Sequence, residues 1–375
     1  MPNGKNRQLT LALAEYERLG EPNQAEKSQA WQTAIGLQQV DGLATSKYLL
    51  ETAKEHIEGR INIDEAQARI DSYYQTKEAR QNQDSANTRE ADIVASRIAK
   101  LLGEATFNFS TFTYFNIHKK LFAGLYPHAG KIRPYNITKK EWVLNGDTVQ
   151  YCDSDVILDT LNYDFDKERK FSFISLSTEQ KISHISKFIS NVWQIHPFCE
   201  GNTRTTAVFL IKYLKFFGFP VNNAPFAKNA WYFRNALVRA NWSNMMLDIQ
   251  SSTLPLEHFL RNVILGTNFE LKNRRLHILY KDGSLQKEDT ASIAKEMFVE
   301  AYQHSTTHNH ETKKLIDAIH NNPKITQAEL AVLQGYSLSK IKRQIAELQS
   351  KGLLERIGGR KLGSWKILDG LELLD

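Results

Sequence analysis

Cysteine is scarce: Cys152 and Cys199 are the only two in 375 residues. Two thiols build no disulfide framework, so a reducing compartment suits a chain of this size. No basic and apolar leader opens the sequence, and no uninterrupted apolar run approaches the roughly 20 residues of a membrane span. A soluble, cytoplasmic protein with no membrane partner is expected. There is no internal repeat. Neither charge sign dominates, since 48 Lys and Arg stand against 42 Asp and Glu, a net +6. That balance is compatible with polyanionic partners such as nucleotides or nucleic acid and fixes neither. The apolar share of 41% and charged share of 24% are ordinary for a folding chain, so no large part has to be disordered.

A single core stops growing somewhere below roughly 250 to 300 residues, so two or three domains are expected. Residues 1–75 read as a small helical module: 9–19 is periodic, 47–58 places Tyr48, Leu49, Ala53 and Ile57 near one face, and Gly59 suits a C-cap. Asp64 with Gln67 resembles a capping box before a further apolar stripe. Residues 76–91 are polar, as in a linker or a solvated helix. Residues 92–270 are mainly helical, with one interruption where Asn145-Gly146 separates short apolar runs, a strong hairpin signal. In the connecting segment 271–310, residues 276–280 suit a short strand and 292–302 a helix. Residues 311–375 give three short helices, with Thr326 as an N-cap and Gly335 as the turn, then two strands around Gly358-Gly359-Arg360. That order is a winged helix-turn-helix.

The chemistry concentrates in His196-Pro197-Phe198-Cys199-Glu200-Gly201-Asn202-Thr203-Arg204, a tight connection between two amphipathic helices. A helix N-terminus offers unpaired N–H groups and partial positive charge, so a Gly-containing loop there suits phosphate. A His at the loop entrance can take a proton from an attacking hydroxyl. A carboxylate four residues on can hold Mg²⁺ against phosphate oxygens, and an Arg can neutralise a leaving pyrophosphate.

This nonapeptide resembles the signature of the Fic (Fic/DOC) family, H-x-F-x-[DE]-G-N-G-R-x-x-R, and Gly130-Lys131-Ile132-Arg133 resembles the entry to the family's flap. The resemblance implies a mainly α fold: a Fic-type helical core with a β-hairpin flap, joined here to the N-terminal helical module and the winged helix-turn-helix. It implies transfer of AMP from ATP, with Mg²⁺, to a Ser, Thr or Tyr hydroxyl of a target protein. By position, His196 would be the general base, Phe198 a loop anchor, and Glu200 the Mg²⁺ carboxylate. Glu200, Gly201, Asn202, Thr203 and Arg204 would bind the nucleotide. The hairpin at 137–151, with Ile137 and Trp142, would clamp the target by strand addition or be an ordinary surface hairpin. Two positions depart from the pattern. Thr203 replaces its second Gly, and Ala207 stands where it has a second Arg. Transfer of another phosphate-linked group, or a non-catalytic nucleotide-sensing regulator that binds DNA, are therefore the alternatives.

Ile57-Glu58-Gly59-Arg60 resembles the end of the inhibitory helix that accompanies some members, which implies that Glu58 restrains the site, through Arg204 or by blocking donor space, within one chain or across a homodimer. In the winged helix, Lys340, Lys342 and Arg343 on the third helix and Arg360 at the wing tip are the candidate DNA contacts, with protein docking as the competing reading.

Overall fold

The computed structural model describes residue 13 and residues 22–76, 83–280, 309–350, 354–357 and 363–367. The chain divides into two compact units, Met1–Leu279 and Tyr280–Asp375. The larger unit is helical. Helix α1 (Pro22–Gly36) passes through a 3₁₀ turn at Leu37–Asp41 to α2 (Lys47–Ile57), α3 (Ile63–Tyr73) and α4 (Gln83–Gly103). Then follow α5 (Thr111–Phe122), α6 (Ile157–Arg169), α7 (Thr178–Ile195), α8 (Asn202–Phe216), α9 (Ala224–Ala240), α10 (Leu254–Ile264) and the single turn α11 (Asn273–Leu276). The first turns of α4 thus lie inside the polar stretch 76–91.

Local chemistry explains several helix starts. Ser46 accepts the Leu49 N–H at the head of α2, and Ser177 with Gln180 forms a reciprocal capping box on α7. The expected Asp64–Gln67 box is not what starts α3. Asn62 caps it two residues earlier, accepting the Glu65 N–H at 2.8 Å, and Asp64 falls inside the first turn, where a carboxylate suits the helix dipole.

Helix α8 is buried without a break from Asn202 to Leu214, so it has no solvent face and the unit is built around it. Aromatic rings pack on its side: Phe165 lies 5.4 Å from Phe209, and Phe188 lies 5.5 Å from Tyr213. The N-terminal helices belong to the same unit. A Cβ added to Gly36 would sit 2.2 Å from the Ala227 carbonyl oxygen, so α1 meets α9 backbone to backbone, at a distance only glycine permits.

Residues 131–151 hold the expected turn without the expected strands. Asn145 and Gly146 have φ of 54° and 89°, and the Asp147 N–H donates to the Leu144 carbonyl at 3.2 Å, which closes a type I′-like turn. A 3₁₀ turn at Trp142–Leu144 immediately precedes it and coils the first arm, so no β ladder forms there. The strand expected at 276–280 is likewise absent: Leu276 ends α11, and Ile278 makes a backbone bond to Val143 at 3.0 Å.

The smaller unit contains α12 (Asn309–Asn321), α13 (Gln327–Gln334), α14 (Leu338–Ser350), β1 (Leu354–Ile357) and β2 (Ser364–Ile367). Thr326 and Glu329 form a capping box, and Gly335 takes the left-handed turn with φ 68°. The strands pair antiparallel, Leu354 opposite Ile367. Leu315, Ile319, Leu330, Ile341, Ile345 and Trp365 form the core, and the Trp365 indole donates to the Ile325 carbonyl at 2.9 Å. Most of 9–19, the helix read at 292–302, and the wing tip with Arg360 lie outside the described residues.

Candidate active site around His196

Helix α7 ends at Ile195, and His196 turns the chain with φ 49°. Its Nδ1 lies 3.2 Å from the Trp193 carbonyl, which can only accept, so the neutral ring carries its proton there and presents a bare Nε2. Nε2 is buried and has no hydrogen-bond partner. Burial drives the imidazole pKa well below its usual value. Lys139, Arg234 and Arg133 push the same way, against the Trp193 bond.

The loop after His196 is fastened from three directions. The Asn202 side chain accepts the Phe198 N–H at 3.0 Å and donates to the Phe198 carbonyl at 2.7 Å, so its amide closes the loop. Phe198 is fully buried and stacks on His118 with ring centroids 3.7 Å apart. His118 accepts the Gly130 N–H at Nδ1 (2.8 Å), so Nε2 carries the proton and donates to the Glu200 carbonyl at 2.9 Å. Arg133, fully buried, donates from Nε to the His196 carbonyl at 2.8 Å, and its other nitrogens reach the carbonyls of Tyr135, Cys152 and Ile195. His118 lay outside every motif, and Arg133 carried only the flap-entry resemblance.

Gly201 has φ 75°, and a Cβ there would lie 2.3 Å from the Phe122 ring. Gly201→Ala therefore combines left-handed strain of about 1–2 kcal/mol with overpacking of about 1–3 kcal/mol. A melting-temperature fall of roughly 5 to 15 °C is expected, and calorimetry of the variant checks it.

Glu200 is 55% exposed at its side chain, and the nearest cation is Lys139, 3.7 Å away. The Thr203 hydroxyl accepts the buried Trp193 indole N–H at 3.0 Å, which gives a helix-packing reason for a residue other than glycine there. Ala207 is fully buried. Arg204 is only 1% exposed, and its charge is already matched: Nε lies 2.7 Å from Asp41, Nη2 donates to Glu90 at 2.6 Å and Nη1 to Gln38 at 3.1 Å. Burial opposes that charge, but Asp41 and Glu90 outweigh it and raise the guanidinium pKa. Glu58 is not among these partners. It closes α2 beside Lys54 (3.9 Å) and Arg60, whereas the carboxylates on Arg204 are those of Asp41 and Glu90.

The segment 131–151 covers the loop. Tyr151 lies 4.4 Å from the His196 ring and donates to Glu141 at 3.1 Å, and Arg234 grips the buried Glu141 through two bonds of 2.6 and 3.1 Å. Ile137 is half-buried, and Trp142 is 48% exposed with its ring 4.8 Å from His277. In the smaller unit, Lys342 and Arg343 project from α14 into solvent, whereas the Lys340 ammonium lies 3.6 Å from the centre of the Tyr336 ring.

Among the described residues no three His, Cys, Asp or Glu side chains gather to hold a metal. Glu200 alone beside the N-terminus of α8 still fits Mg²⁺, which commonly takes one or two protein carboxylates plus substrate phosphates.

A family model described as Fic/DOC family matches residues 108–214, and one described as winged helix-turn-helix DNA-binding matches 312–355. No curated protein matches the chain. Among solved structures it is similar to a Fic family protein from Desulfovibrio desulfuricans G20, at 14% identity over 98% of this chain and 97% of that one, with a TM-score of 0.40, too loose a likeness to bear on the argument. No helix among the described residues is long and apolar enough to cross a membrane. The chain thus carries a Fic/DOC-family domain that contains His196, its loop and nearly all of α8, and a winged helix-turn-helix nearer its C-terminus.

Proposed function

We propose that this protein is a protein adenylyltransferase that moves AMP from ATP to a Ser, Thr or Tyr hydroxyl of a target protein. The observation that carries the reading is the bare, buried Nε2 of a neutral His196, held at the entrance to the N-terminus of α8. The target hydroxyl attacks the α-phosphorus, its proton passes to His196 Nε2, and the bond to the bridging oxygen breaks to release pyrophosphate. The N–H groups at the head of α8 face the phosphates. Glu200 would hold Mg²⁺, which would neutralise charge on the phosphates, in place of its present contact with Lys139 at 3.7 Å. Tyr151 and the 131–151 segment cover Nε2, so the hydroxyl reaches it as that cover moves, and Ile137 and Trp142 of the same segment would contact the target. Labelling lysate proteins with ATP carrying the label at either the α- or the γ-phosphate tests this. Transfer from α alone, lost in His196→Ala, is expected. Transfer from γ means a phosphate-linked group other than AMP, and no His196-dependent label from either counts for a regulator without catalysis.

The Arg204 cluster supports restraint built into the chain. Two carboxylates occupy the guanidinium that a nucleotide phosphate would seek, so donor binding competes with Asp41 and Glu90. Replacing both by their amides, Asp41→Asn with Glu90→Gln, keeps acceptors in place and removes the competing charge. ATP affinity is expected to rise about tenfold, on the order of 1.4 kcal/mol. Calorimetric titration measures it, with Glu58→Gly beside it, and equal affinity in a folded double variant removes the proposal.

A second role rests on α14. Lys342 and Arg343 are exposed on the helix that enters the major groove in this class of domain, which supports DNA as a further partner. A duplex shift that weakens with salt is expected, and none at low salt leaves protein docking.

A further inference from the structure

Away from the His196 loop, the larger unit contains a cavity of about 710 Å³ between α1, the end of α4 and the end of α8. That volume is within the range of small-molecule sites, roughly 300–1,000 Å³. Its wall is largely apolar, with the rings of Phe107 and Phe216 5.5 Å apart on one side and Trp31 on another. Its charged groups are mixed, with Lys27, Lys100, Lys212 and Lys215 beside Glu26 and Glu104, and Glu104 is already paired with Lys120 at 3.0 Å.

His56 lines the cavity, and its Nδ1 accepts the Trp31 indole N–H at 2.9 Å. A neutral ring so bonded carries its proton on Nε2, which leaves a donor on the ring's free edge. Burial, aided by Lys27, lowers the His56 pKa to about 4, so the ring is neutral at ordinary pH. Lys27 and Lys215 line the same space; Lys27 makes a long bond of 3.5 Å to the His56 carbonyl, and neither has a carboxylate partner within ion-pair distance among the described residues. Lys212, by contrast, is spent on the carbonyls of Leu101 and Glu104 at 2.9 and 2.7 Å. Asn223, only 2% exposed, adds a buried Oδ1 with no hydrogen-bond partner. A buried amide oxygen left alone is costly, about 1–3 kcal/mol, and a ligand hydroxyl or N–H relieves it.

We propose that this cavity binds a small organic anion, a phosphate or carboxylate head on an apolar or aromatic body, with Lys27 and Lys215 taking the head and the aromatic wall the body. Its walls lead to the Arg204 cluster. Helix α1 runs directly into the turn that carries Gln38 and Asp41, and α4 carries Glu90. An occupant therefore bears on the elements that hold Arg204. Binding itself does not depend on the transfer reaction.

The test uses the full chain with anilinonaphthalene sulfonate, an aromatic anion whose fluorescence reports burial, and then sodium octanoate and AMP as competitors. Saturable binding is expected, displaced by octanoate if a carboxylate is preferred or by AMP if a phosphate is. Lys27→Glu with Lys215→Glu should weaken it about tenfold or more. Lys215 is exposed and Lys27 half-buried, so the double variant keeps its fold, which its melting curve checks. Absence of saturable binding, displacement by neither competitor, or equal binding in the folded double variant overturns the proposal.

Discussion

His196→Ala is expected to lower target labelling by about 10² to 10⁴-fold, the range that general-base catalysis supplies. The alanine alone is an ambiguous result, because His196 sits at φ 49°, where alanine carries left-handed strain. Asn is the better companion. It tolerates that conformation, so His196→Asn keeps the backbone and removes the base. Both variants should be inactive, and an active Asn variant would mean that the ring positions the loop without taking the proton. The pH profile adds a second check. Catalysis needs neutral imidazole, and burial followed by Lys139 lowers the folded pKa well below its usual 6.5. A base with a lowered pKa stays ready as pH falls through 6.5, so the acid limb of initial rate against pH should lie below that value. An acid limb at or above pH 6.5 would mean that another group titrates, or that His196 is hydrated when it works.

The parts of this molecule legible in sequence were those fixed by near neighbours. The nonapeptide, the Thr326 cap, the Gly335 turn and the alternation of helices all depend on residues within a few positions of one another. So does the Asn145-Gly146 turn. The strands expected around it failed because Glu141 is drawn inward to Arg234, and the chain coils at Trp142–Leu144 to follow it. That pairing spans 93 residues, and no local pattern announces it. Arg204 is the same lesson beside the His196 loop. Its type and place were readable, but its partners Gln38 and Glu90 lie 166 and 114 residues away, outside the family-matched segment. Asn202 was readable as part of the loop, but the bonds its amide makes to Phe198 were not, since they are set by which backbone groups the buried turn leaves unpaired.

Arg133→Met should be the most destabilising single change around the site, costing about 3–5 kcal/mol. Two effects oppose each other. A fully buried guanidinium is itself expensive, and burial pulls its pKa down, so removing the charge returns part of that cost. Against this, its nitrogens are the donors to the carbonyls of His196, Tyr135, Cys152 and Ile195, and methionine leaves all four without them, those of His196 and Ile195 in the interior and those of Tyr135 and Cys152 half-buried. Four orphaned acceptors at about 1–3 kcal/mol each outweigh the relief, even if water reaches some of them. A melting-temperature fall of roughly 10 °C is the expected reading. Arg133→Lys separates charge from geometry: an ammonium keeps the charge but cannot span carbonyls on both sides of the loop, so lysine should recover little of the loss. Either variant also frees the 131–152 segment from the His196 carbonyl, and protease cleavage within that segment should become faster. If methionine costs under about 1 kcal/mol and cleavage is unchanged, the carbonyls find other donors and Arg133 is not what ties the segment to the His196 loop.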